Sequence, residues 1–135
     1  MSINYNRNLQ DKNFVSTVTL LAAGANTASF DLEQVEGGDI ESIVFELAGP
    51  ALTTAQLADT KVVTYKLEDS ADGSSFATVD PLIQTTQTGA GGAGAAAKTI
   101  RFRLPANTRR YVRIAQTATA SPGTLTASMV AKLLF

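Results

Sequence analysis

The chain has 135 residues, with 11 Lys and Arg set against 12 Asp and Glu for a formal net charge of −1, and only 17% of its residues are charged. That length suits one domain. The charge balance gives no reason to expect sequence-independent nucleic-acid binding, and no apolar run approaches a membrane span. His, Cys and Trp are absent, which removes the usual general base, the thiol nucleophile, disulfides, the softer metal ligands and the strongest aromatic platform.

Thr, Ser, Ala and Gly stand where Lys and Glu would cover an ordinary surface. Such a surface costs less to desolvate and suits a chain packed against other chains, although Thr also fits any pleated, half-exposed sheet. Met1 is followed by SINYNRNLQDKN, without the basic start and apolar core of a signal peptide. Synthesis and retention in a cytoplasm are therefore expected, unless a larger particle carries the chain out.

Residues 1–13 are polar, rich in Asn and aperiodic, and read as an extended arm. Residues 14–135 read as one β-sandwich domain. From Phe14 the run FVSTVTLL places Phe14, Ser16, Val18 and Leu20 on one face of a strand. AAGANT from Ala22 to Thr27 turns the chain, and SFDLEQV follows with Phe30 and Leu32 inward until Gly37, Gly38 and Asp39 break it. SIVFELA puts Ile43, Phe45 and Leu47 on one face and Ser42, Val44 and Glu46 on the other, with Pro50 closing the strand. Leu52 to Thr60 is the only stretch with helical character, a turn or two capped by Thr53 or Thr54, and is expected as a crossing connection.

VVTYKLED alternates again, with Val63, Tyr65 and Leu67 opposed to Thr64, Lys66 and Glu68. Its exit, Ser70-Ala71-Asp72-Gly73, predicts a three-residue hairpin with Gly73 in the left-handed region, returning through Ser75 to Val79 before Pro81. Residues 86–97, TQTGAGGAGAAA, predict a long flexible loop with no anchoring side chain. KTIRFRL, YVRIAQT and TLTASMVAKLLF supply the last strands, the final one burying Leu125, Ala127, Met129, Ala131, Leu133 and Phe135. Eight or nine short strands with almost no helix predict an all-β, antiparallel sandwich of the jelly-roll or Greek-key kind.

The candidate constellations each have a plain reading. Arg101, Arg103, Arg109, Arg110 and Arg113 alternate with apolar residues, so they are expected outward on two strands, solvated or ion-paired rather than gathered on a phosphate. Asp69, Asp72 and Asp80 lie close in sequence but miss the alternating spacing of a calcium loop. Gly89 to Gly94 lacks the Lys-Ser/Thr ending of a phosphate loop, and the many Ser and Thr have no recognisable base. No enzyme activity, cofactor or metal is expected.

The YKLEDSADGSSF strand and turn, the Gly/Ala stretch, RRYVRIAQT and the TLTASMVAKLLF ending resemble small tailed-bacteriophage virion proteins of the Bbp16-like type, capsid decoration or cement proteins. The resemblance covers the chain from about Val63 onward, together with the polar N-terminus, and it implies a jelly roll. It also implies a homodimer or homotrimer placed on the outer capsid surface of a virion, where it fastens neighbouring major capsid protein subunits without chemistry, nucleic acid or membrane. The segments most free to reach a neighbour are the arm, with Asn4, Tyr5, Asn6, Arg7 and Leu9, and the Gly/Ala loop, with Gly89, Gly91, Gly92 and Gly94. The alternatives are a glycan- or receptor-binding domain of a tail appendage, which requires an exposed aromatic cluster, and a head-to-tail or tail component.

Overall fold

The structure, a computed structural model, describes residues 10–33 and 43–134. The strands are β1 (Gln10–Thr19), β2 (Ala25–Asn26), β3 (Phe30–Asp31), β4 (Val44–Gly49), β5 (Val62–Ser70), β6 (Ala77–Thr78), β7 (Gln84–Thr88), β8 (Lys98–Arg103), β9 (Tyr111–Ala118) and β10 (Ser128–Leu134). One sheet runs β1-β10-β4-β8; the other runs β2-β9-β5-β6, with β3 also on β9 and β7 also on β5. All the strand pairs are antiparallel.

The ten strands fill eight positions. β2 and β3 share the place beside β9, where Ala25 faces Gln116 and Phe30 faces Val112. β6 and β7 share the place beside β5, where Thr78 faces Glu68 and Gln84 faces Lys66. Numbered by position along the chain, the sheets are 1-8-3-6 and 2-7-4-5. Every connection except 4 to 5 passes from one sheet to the other, which is the double Greek key of a jelly roll.

Alternation explains which side chains meet between the sheets. Val63, Tyr65 and Leu67 of β5 and Val112 and Ile114 of β9 face Phe45, Leu47, Met129, Ala131 and Leu133 of the opposite sheet, and all are buried. Phe45 stacks on Phe102 at 5.3 Å and meets Phe30 of the other sheet edge-on at 5.8 Å, each contact adding about 0.5–1.5 kcal/mol beyond area burial. Among the described residues, the expected inward faces of the Phe14, Ile43 and Val63 strands are observed, and of the last segment Leu125, Ala127, Met129, Ala131 and Leu133 are inward although β10 starts only at Ser128.

Several expectations need correction. β1 begins at Gln10, which stands opposite Leu134, so residues 10–13 belong to the sandwich and not to an arm. Residues 1–9, the Gly37-Gly38 turn and Phe135 lie outside the described residues. The β5 exit is wider than a three-residue hairpin, because pairing resumes only at Ala77 opposite Asp69. The excursion is shaped by side chains: Ser70 Oγ accepts the Asp72 and Gly73 N–H groups, and Asp72 Oδ1 accepts those of Ser74 and Ser75. Gly73 has a φ of 76°, the left-handed value expected of it. The 52–60 segment makes one helical turn only, in which Leu57 N–H donates to Thr53 C=O at 2.8 Å. The Gln56 Oε1 reaches back to the Thr53 N–H at 3.1 Å, as the third residue of a capping box does.

Candidate functional site

The Gly/Ala stretch is fastened along its length rather than flexible. Leu52 and Ala95 exchange two backbone hydrogen bonds of 2.8 Å, the Gly89 N–H donates to Lys61 C=O, and the Thr60 N–H returns to Gly89 C=O. At the tip the Gly92 N–H reaches both oxygens of Asp59, at 2.9 and 3.1 Å, and the Thr54 hydroxyl donates to Gly92 C=O. The glycines explain the fit. A Cβ on Gly94 would fall on the Leu52 carbonyl oxygen and one on Gly89 on that of Ala58, whereas Gly91 and Gly92 face open space. Of the four candidate contact glycines, Gly89 and Gly94 serve internal packing, and Gly91 and Gly92 form an exposed tip. The other candidates, Asn4, Tyr5, Asn6, Arg7 and Leu9, lie outside the described residues.

The loop is held from beneath by a buried glutamine. The Gln87 amide NH2 donates to Pro50 C=O and Ala96 C=O, both at 2.8 Å, and its Oε1 accepts the Tyr65 hydroxyl at 2.6 Å. Burial pushes the Tyr65 hydroxyl well above the ordinary phenol range, which favours its protonated, donating form. Gln116 does similar work at the other end, accepting the Leu21 N–H and donating to Leu21 C=O. Ser16 Oγ accepts the Ala28 N–H and Thr27 Oγ1 accepts that of Ile114. These inward polar residues do not stand out in composition; the signal for them is a Gln, Ser or Thr at an inward parity position of an alternating strand.

Four of the arginines form ion pairs, one of the two outcomes expected for them. Arg101 meets Glu46 at 2.6 Å, Arg109 meets Asp69 at 2.6 Å, Arg110 meets Asp31 at 2.7 Å, and Arg113 meets Glu68 at 2.8 Å. Asp69 is the most enclosed of these acids. It accepts the Arg109 backbone N–H and two guanidinium hydrogens, and its own carbonyl takes a third; these bonds raise the Arg109 guanidinium further above its ordinary value. Arg110 likewise holds the Asp31 carboxyl below the usual range. Asp69 is thus committed to Arg109 and Asp72 to the turn, whose N–H groups hold the Asp72 carboxyl down at about 2. The calcium idea loses both to internal bonds.

The half-exposed aromatic rings at this end of β9 are also occupied. The Arg113 guanidinium lies 4.0 Å from the Phe76 ring centre, and Arg110 lies 5.2 Å from that of Tyr111. The outward row of the first sheet runs Val15, Lys132, Glu46, Arg101, with Glu46 only 8% exposed beneath its two cations. On either side stand Val44, Ala48, Val130 and Thr17. Glu46 is shared by Arg101 and Lys132, so this row keeps one net positive charge. No protein-family model matches the chain, and no curated protein matches it either.

Proposed function

We propose that the protein is a structural virion component, a decoration or cement protein that sits on the outside of an icosahedral phage head and bridges neighbouring major capsid subunits. The observation that carries this reading is the strand order, 1-8-3-6 over 2-7-4-5, because a jelly roll is the fold implied by the resemblance of the YKLEDSADGSSF and RRYVRIAQT segments. Jelly rolls also build viral capsid and lectin domains, and a fold by itself does not fix function. The paired arginines and the Val, Ala, Thr and Ser of the outward faces give further support, for such surfaces lose little hydration on contact. Many weak contacts around one shell then gain by multivalency, and about 800 Å² per partner is enough for stable attachment.

The guanidinium groups stacked at Phe76 and Tyr111 favour this reading over a glycan platform, which presents free ring faces to sugars. The test is cosedimentation of the purified protein with empty heads of a tailed phage that encodes it. A saturable, stoichiometric complex whose shells resist heating better than bare shells supports the proposal. Free protein at the top of the gradient, together with retention on a polysaccharide column, would favour the glycan alternative.

A further inference from the structure

Among the described residues the sandwich has four edges, and three of them are blunted. β8 carries Lys98, Arg101 and Arg103 along its length, while the edges beside β9 and β5 are each broken into short pieces, the second with Pro81 in the break. Charge and interruption are the means by which sheets avoid pairing with other chains. β1 has neither from Phe14 to Thr19, FVSTVT, where it holds one register against β10 from Val15 onward.

The direction of its free hydrogen-bonding groups follows from one contact. The Leu20 N–H donates to Ala127 C=O at 2.9 Å, and Thr19 stands opposite Ser128. Even-numbered residues of β1 therefore turn their N–H and C=O groups toward β10, and Val15, Thr17 and Thr19 turn theirs away from the sheet. Among the described residues β10 is the one strand hydrogen-bonded to β1.

We propose that this edge pairs with the same edge of a second copy, antiparallel, about a two-fold axis at Thr17. Val15 of each copy then faces Thr19 of the other and Thr17 faces its own counterpart, so three pairs exchange about six backbone hydrogen bonds. The two four-stranded sheets become one of eight. A foreign strand is the weaker occupant, because the pattern Val15-x-Thr17-x-Thr19 is complementary to itself and brings no like charges together. The interface is isologous, the commonest kind among homo-oligomers. The inference does not depend on the capsid reading.

Thr17 is exposed and its N–H is not used by β10, so Thr17→Lys and Thr17→Glu leave the fold intact while placing like charges across the axis. Light scattering behind a sizing column, over a concentration series, reads the result. The wild type approaches twice the chain mass of 14.1 kDa, each variant alone stays at the single mass, and an equal mixture of the two regains the doubled mass. A wild type that stays at the single mass overturns the proposal, as does a trimer, a Thr17→Lys variant that still dimerises, or a mixture that stays monomeric. Head binding is measured separately, so either idea can fail without the other.

Discussion

Gln87 shows how a single side chain joins three parts of this molecule. Its amide joins the end of β4, the core hydroxyl of β5 and the close of the Gly/Ala stretch. Each buried partner left without a bond costs about 1–3 kcal/mol, so Gln87→Leu is expected to lose roughly 3 kcal/mol or more in chemical denaturation. Tyr65→Phe removes one bond only and is expected to lose less; the double variant should fall short of the sum. Gly94 and Gly91 make a second contrast. Both have positive φ, at 69° and 63°, which costs a non-Gly residue about 1–2 kcal/mol. Only Gly94 meets backbone as well, so Gly94→Ala is expected to lower the melting temperature clearly more than Gly91→Ala. Asp72 supplies a pH signature. Its folded value of about 2 lies below the ordinary 3.8, so the carboxylate's contribution is fully present above about pH 5 and is lost as pH falls toward 2. Melting curves of the wild type and Asp72→Asn should therefore converge on acidification through that window.

At the scale of elements, the strands that the sequence announces are those with a strict period of two and a β-branched or aromatic inward face. β4, β5, β9 and β10 are of this kind, and their inward residues are those read from alternation. Parity was weaker where backbone contacts decide the structure. The Gly/Ala stretch looked slack because Gly is most often a source of freedom, yet here Gly89 and Gly94 allow two backbones to touch. The β5 exit looked like a tight hairpin because Asp72-Gly73 is turn chemistry, but Ser70 and Asp72 stretch it into a wider loop held by their own side chains. The start of β1 at Gln10 was hidden by a polar segment whose place is set by pairing with Leu134. A consequence for experiment is that a truncation aimed at the arm must stop at residue 9. Removing residues 1–13 cuts into a sheet and should lower the melting temperature below that of the chain lacking only 1–9.

On the scale of the whole molecule, the eight strand positions follow from alternating segments and short connections, and the core is shared between the two sheets. The site was less legible than the fold. The assembly role proposed for it needs no compact motif; four of its arginines are spent on internal ion pairs, and Phe76 and Tyr111 carry guanidinium groups. What remains among the described residues is a low-charge coat and one unblunted edge, neither of which has a sequence signature beyond the scarcity of Lys and Glu. The proposed capsid binding is accordingly expected to depend weakly on salt, since little of it would rest on exposed charge. Cosedimentation repeated from low to high ionic strength should change the bound fraction little.

The most direct test of the central claim is a difference map by cryo-electron microscopy of phage heads with and without the protein. Added density is expected on the outer shell surface, shaped as two facing four-stranded sheets and bridging adjacent capsid subunits. A shell that is identical in the two maps, with the protein's density found at the portal or tail instead, would contradict it.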